Sequence, residues 1–206
     1  MRLSILRITL NAVIVVLVAI GVVIMLNSTA SATGLTASGW ENLKFYTVLS
    51  NVFAGIVALA QIVSYLTKRR YLQTLKLTAA TAVALTFIVI AAFFGPLYGW
   101  IKLYQGSNFL FHLIVPVLCV IEFITSGDSG ELTLKHCFIA SLSTVAYGFA
   151  YFINVLVNGV GEWPDSNDWY GFLNWGLGAG LVIFAGIAVS SFGIACLLKK
   201  LHIPHP

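Results

Sequence analysis

The chain has 206 residues, 59% of them hydrophobic and only 9% charged. A water-soluble domain is roughly half apolar and a quarter charged, so this composition excludes an ordinary soluble globule, a disordered chain and a nucleic-acid-binding domain. The net charge of +4 does not alter that, because the 11 Lys and Arg residues sit mostly at the ends of apolar runs; an all-α polytopic membrane protein, one domain over residues 1–206, is the class that remains.

A spanning helix needs about 20 mostly apolar residues, and six stretches qualify. The first is Ile8–Leu26. Arg2 and Arg7 before it, and the small residues Ser28, Thr29, Ala30, Ser31 and Ala32 after it, imitate a signal peptide. Its apolar run exceeds the roughly 7–15 residues of such a region, so a retained helix is expected. The second is Phe45–Leu66. Thr47 and Asn51 are four apart and share one face, with Ala58 and Gln61 further along. The basic cluster Lys68-Arg69-Arg70 then marks the clearest loop.

The third stretch, Leu75–Leu97, is interrupted near its end by Pro96. The fourth, Asn108–Ile124, is the shortest and contains Pro116. Its residues Asn108, His112, Val115, Cys119 and Glu122 recur at helical steps and fall within an arc of roughly 80°. The fifth, Cys137–Val157, carries a polar stripe of Ser143, Tyr147, Tyr151, Asn154 and, just past its end, Asn158. The sixth, Phe172–Leu198, contains Gly176 and Gly180, a small-residue pair that lets helices approach closely and that we expect to serve internal packing.

Six spans place both termini on one side. Nine basic residues (Arg2, Arg7, Lys68, Arg69, Arg70, Lys76, Lys135, Lys199, Lys200) fall on that side and two, Lys44 and Lys102, on the other. Basic residues concentrate in cytoplasmic loops, so both termini are expected in the cytoplasm. Trp40, Trp100, Trp163, Trp169 and Tyr170 lie near the outer span ends, where aromatic belts form. Cys119, Cys137 and Cys196 make no CxxC pair and read as small core residues. His202 and His205 have no ligand partners in sequence, so neither a metal nor a cofactor is expected.

Depth decides which polar groups can cooperate. Spans two and four run in the same direction, and Thr47 and His112 both lie near their outer ends. Glu122 is ten residues beyond His112, about 15 Å deeper at 1.5 Å per residue. It belongs to another layer and should pair with a polar neighbour or stay protonated. Thr47 and His112 can meet, and a hydroxyl beside an imidazole is a nucleophile and base in outline. The amides of Asn51 and Asn108 and the phenols of Tyr147 and Tyr151 are candidate donors to an oxyanion. For Asn51, Ser143 and Asn154 taken alone, interhelical hydrogen bonding is the favoured reading.

The segment Lys44-Phe45-Tyr46-Thr47, the run from Asn108 through His112 to Pro116 with Glu122 beyond it, Gly148-Phe149-Ala150-Tyr151, and Trp163-Pro164 occur in an order that resembles the androgen-induced and androgen-dependent TFPI-regulating protein family. Val48-Leu49-Ser50-Asn51 resembles its bacterial branch. The resemblance implies a six-span intramembrane hydrolase of fatty acid esters of hydroxy fatty acids. It implies Thr47 as nucleophile and His112 as the essential histidine. Pro116 follows His112 by four residues, where the family pattern has five.

Three functional classes follow. The first is a Thr/His lipid ester hydrolase of the plasma membrane, with a membrane lipid or acyl ester as its partner. The second is a channel or carrier that uses the polar stripes as a path and Glu122 as an ion site. The third is a structural or regulatory bundle.

Overall fold

The computed structural model describes residues 2–29, 37–67, 72–125, 131–162 and 166–203. The clusters at 68–70, Trp163-Pro164, Asp165 and His205, and the small residues 30–32, lie outside them. Six helices are long and apolar enough to cross a membrane. They are α1 (Arg2–Leu26), α2 (Tyr46–Leu66), α3 (Gln73–Tyr98), α4 (Ser107–Thr125), α5 (Leu134–Asn158) and α6 (Leu177–Leu201). Among the described residues there is no strand. The protein is an all-α, membrane-embedded six-helix bundle.

Helix α3 is its axis. It packs against α2, α4, α5 and α6, and every residue from Lys76 to Thr86 is buried. That stretch alternates Ala and Thr with Leu and Val, and small side chains let neighbouring helices come close on all sides. Helix α6 is peripheral, with Leu181, Val182 and Val189 facing outward. Outward-facing Ile56, Leu59, Phe138, Phe149 and Ile153 continue the apolar belt that lipid requires.

Neither proline ends its helix. In α3, Ile90–Phe94 forms a π turn immediately before Gly95 and Pro96, and in α4, Leu110–Ile114 forms one before Val115 and Pro116. The cause is the missing proline N–H. In the π turns the Gly95 N–H reaches the Ile90 carbonyl and the Val115 N–H reaches that of Leu110. The next donor in each register would be the proline nitrogen, so one carbonyl per helix, Ala91 and Phe111, is orphaned. Each is capped from elsewhere. The Trp100 indole N–H donates to the Ala91 carbonyl at 3.2 Å, and the Asn51 amide donates to that of Phe111 at 2.9 Å.

The sixth helix starts later than the sequence suggests. Residues 168–176 form turns, not helix, because Gly171 (φ 68) and Gly176 (φ 86) take left-handed backbone conformations that end regular structure. The small-residue pair does serve internal packing, at Gly180 only. A Cβ there would collide with Leu173 of the returning turn, whereas one at Gly176 would meet nothing.

The bundle is layered. In its lower half, at the end where the described terminal residues lie, Glu122 is fully buried in an ion pair with Lys76. Asn11 completes the cluster. Its amide donates to Glu122 Oε1 at 2.7 Å and to the Arg7 carbonyl at 2.9 Å, and its oxygen accepts from Lys76 Nζ at 2.8 Å. This triad ties α1, α3 and α4 together. Above it lies an apolar layer of Ile14, Val18, Ala54, Val57, Ala58, Val83, Val115 and Cys119. A second core packs Cys137 against Leu77, Phe123, Ala195 and Leu198. All three cysteines are free thiols.

Breaking a buried ion pair on one side leaves an uncompensated charge and costs about 3–5 kcal/mol. Lys76→Met should therefore lower the bundle's resistance to SDS-induced unfolding by that amount. Adding Glu122→Leu should recover most of the loss. Equal losses in the single and double variants would contradict the ion-pair account.

Candidate active site

A cavity of about 670 Å³ occupies the upper half of the bundle. Thr47 and His112 both line it. Much of its wall is apolar, with Leu85, Val89, Ile90 and Phe94 of α3 and Phe184 and Ile187 of α6. Its mouth is polar, with Lys102, Gln105, Ser107 and Asn108. That division suits an amphipathic guest, with apolar walls for a chain and a few placed polar groups for its head.

Thr47 stands in the first turn of α2. Its carbonyl accepts from the Ser50 hydroxyl at 3.1 Å and from the Asn51 amide at 2.8 Å. Its hydroxyl has no hydrogen-bond partner among the described residues. His112 sits inside the π turn of α4 and is buried. Its Nδ1 lies 2.6 Å from the Leu103 carbonyl. A carbonyl only accepts, so Nδ1 carries the proton and Nε2 carries the free lone pair. The ring is thus fixed in the tautomer a general base needs. Leu103 ends a short helical turn, Trp100–Leu103, whose last carbonyls lack helical donors. Gly106, at φ 58 and ψ −134, turns the chain back so that residue 103 can reach residue 112. The Tyr104 ring meets the imidazole edge-on at 6.4 Å between centroids.

The expected supporting residues take different places. Asn51 is fully buried and spends both amide hydrogens on the Thr47 and Phe111 carbonyls, so it braces the site and donates nothing to a ligand. Its Oδ1 is buried without a partner among the described residues. Tyr147 lines the cavity but donates its proton to the Lys44 carbonyl at 2.6 Å. Tyr151 also lines it, with its hydroxyl committed to the Asp168 carboxylate. Asp168 in turn accepts from the Phe172 and Leu173 N–H groups at 2.9 and 2.8 Å, fastening the returning turns over α5. Asn108 is the one expected donor that lines the cavity with its side chain uncommitted among the described residues. Asn154 is not part of the cavity wall; its Oδ1 accepts from Asn158 at 2.9 Å. Glu122 lies below the apolar layer, in the triad.

The stripe read on α5 is rotated from the buried face, which runs through Thr144, Gly148, Tyr151 and Val155. Thr144 was the missed member. Its hydroxyl bridges the Tyr46 phenol at 2.8 Å and the Ser191 hydroxyl at 2.9 Å, joining α2, α5 and α6 under the site. Tyr170 was missed as well. Its phenol oxygen accepts from the Tyr46 N–H at 2.8 Å, and burial pushes its pKa well above the ordinary value, so the hydroxyl stays protonated. Tyr46 adjoins Thr47 in the motif, and Thr144 lies three residues before Tyr147. The Leu103 carbonyl leaves no side-chain signal. Among the described residues no group of three or more His, Cys, Asp or Glu can hold a metal.

No protein-family model matches the chain, and no curated protein or solved structure is similar enough to it to count as a match.

Removal of the Asn51 amide should expose how far the site depends on that brace. An unmade bond to a buried carbonyl costs about 1–3 kcal/mol. Asn51→Leu should lower the thermal midpoint in detergent accordingly, whereas Asn108→Leu, with no side-chain bond among the described residues to lose, should leave it unchanged. A midpoint unaffected by Asn51→Leu would remove the brace.

Proposed function

We propose that this protein is an intramembrane lipid ester hydrolase in which Thr47 is the nucleophile and His112 the general base. One observation carries the reading: an unpartnered threonine hydroxyl and a histidine with a free Nε2 lone pair, from two different helices, line one largely apolar cavity. His112 takes the Thr47 proton as Oγ attacks the acyl carbon, then returns it to the departing alkoxide. Water, activated by the same imidazole, releases the acid from Thr47.

The sequence resemblance to the family of intramembrane threonine hydrolases supports the same pair, and suggests fatty acid esters of hydroxy fatty acids as substrates. The substrate enters from lipid, with its chain against Phe94, Phe184 and Ile187. The excess of basic residues on the terminal side supports cytoplasmic termini, and with them a site in the outer half of a bacterial plasma membrane. The apolar layer beneath the cavity, and the engagement of Glu122 by Lys76 and Asn11, favour this reading over a channel.

Thr47→Ala should abolish both ester cleavage and covalent labelling by a fluorophosphonate probe. His112→Ala should lower kcat by about 10²–10⁴, the usual worth of a positioned base. Thr47→Ala should keep the wild-type thermal midpoint, because its hydroxyl has no partner among the described residues, whereas His112→Ala should lower it, because the buried Leu103 carbonyl loses its donor. Labelling that persists in Thr47→Ala would contradict the assignment.

A further inference from the structure

Attack on the ester carbonyl puts negative charge on its oxygen, and the donor for that oxygen is to be found in the backbone. The first N–H groups of a helix have no acceptor one turn earlier, and the aligned peptide dipoles make that end electropositive. Helix α2 begins at Tyr46, on the cavity wall. The Tyr46 N–H is taken by the Tyr170 phenol at 2.8 Å, and those of Val48 and Leu49 share the Phe45 carbonyl at 3.1 and 3.2 Å. The Thr47 N–H alone of this turn has no acceptor among the described residues. A second observation points to a ligand at the same place. His112 is only 6% exposed, its Nδ1 is held by Leu103, and its Nε2 has no partner among the described residues. A lone pair without a donor, on a ring that lines the same cavity as Thr47, fits a group that brings an acceptor for the free N–H and meets the Thr47 hydroxyl whose proton the ring can take.

We infer that the Thr47 backbone N–H is the oxyanion donor of this site. The inference rests on the Thr47 hydrolase reading and adds the group that makes the attack favourable. As Oγ bonds to the acyl carbon, its proton moves to His112 Nε2 and the carbonyl π pair moves onto oxygen. The N–Cα–Cβ–Oγ chain is short enough for that oxygen to meet the N–H of the same residue. When the tetrahedral species collapses, the carbonyl re-forms, the carbon–alkoxide bond breaks, and the alkoxide takes the proton from His112. Water then repeats the sequence on the acyl-Thr47 ester, passing through an oxyanion at the same N–H. A preorganised donor of this kind strengthens its bond in the transition state and costs no reorganisation there. Tyr170 is a positioning residue: by occupying the Tyr46 N–H it leaves one amide, that of the nucleophile, to receive the charge.

The test is to replace residue 47, in the full chain in membranes, by the α-hydroxy analogue of threonine. This exchanges the N–H for an ester oxygen and keeps the side chain. We expect kcat for a p-nitrophenyl acyl ester to fall by about 10²–10³, the usual cost of one lost oxyanion donor, with KM little changed. The thermal midpoint should fall only slightly, because this N–H has no acceptor among the described residues and the exchange otherwise only weakens the Tyr46 carbonyl as an acceptor in the first turn of α2. A second measurement needs no variant. A ¹³C-labelled acyl group trapped on Thr47 should show a lower carbonyl stretching frequency in the folded chain than after unfolding in SDS. Undiminished kcat in the analogue, or equal frequencies in folded and unfolded chains, overturns the inference and leaves the hydrolase reading intact. Failure of the wild-type chain to form any acyl-Thr47 overturns both.

Discussion

The upper half of this bundle depends on a hydrogen bond that Pro116 cannot make. A proline in a helix interior has no N–H to give, and α4 absorbs that loss in a π turn that contains His112. The turn leaves the Phe111 carbonyl without a helical donor, buried where no water can reach it. Asn51, from α2, supplies the donor and spends its second hydrogen on the carbonyl of Thr47. One amide therefore holds the turn that carries the hydroxyl to the turn that carries the imidazole. The same solution appears at Pro96, where Trp100 caps Ala91. π turns are frequent at functional sites, and here the reason is concrete: each creates an unmet acceptor that fastens a neighbouring segment in one position.

The layers divide the work. The lower half carries its charges as a closed cluster of Glu122, Lys76 and Asn11, which joins three helices. The middle is apolar and tightly packed. The upper half ties the buried carboxylate of Asp168 between α5 and the turns that precede α6, and leaves a few polar groups unpaired among the described residues along the cavity. In such a low-dielectric site an unpaired donor is worth far more to a developing charge than it would be in water. The phenols and hydroxyls around the cavity form a cross-braced wall: Tyr147 to Lys44, Tyr46 to Thr144 to Ser191, Tyr151 to Asp168. These bonds commit the phenols of Tyr46, Tyr147 and Tyr151. Of the candidates expected from the sequence, Thr47, His112 and Asn108 remain along the cavity.

Much of this was legible in the sequence, because a membrane restricts the choices. Six apolar runs of spanning length become six helices, and the i, i+3/4 recurrence of His112, Val115, Cys119 and Glu122 marks the inward face of α4. Helical rise alone separated Glu122 from His112. What could not be read were interactions made through the backbone. The Leu103 carbonyl that fixes the imidazole tautomer carries no side-chain signal, and the π turns depend on register, which shifts without any change in composition. Asn51 was identified as polar and inward-facing, but its two acceptors were invisible, so its bracing role could not be told from a catalytic one. The start of α6 was misplaced because Phe172, Leu173 and Trp175 are apolar enough to extend the run, while Gly171 and Gly176 turn the chain. On α5 the conspicuous polar residues are tyrosines and asparagines, whereas the buried face is set by Gly148 and Thr144, whose small size lets α6 close against it.

The central claim is that Thr47 is acylated by an ester held in the upper cavity. It is tested most directly by mass spectrometry of the wild-type chain, acid-quenched during turnover of a long-chain acyl ester. The account predicts one acyl group on the peptide that contains Thr47, appearing before free acid reaches its steady rate. Turnover with no acylated peptide, or with the acyl group on another residue, would contradict it.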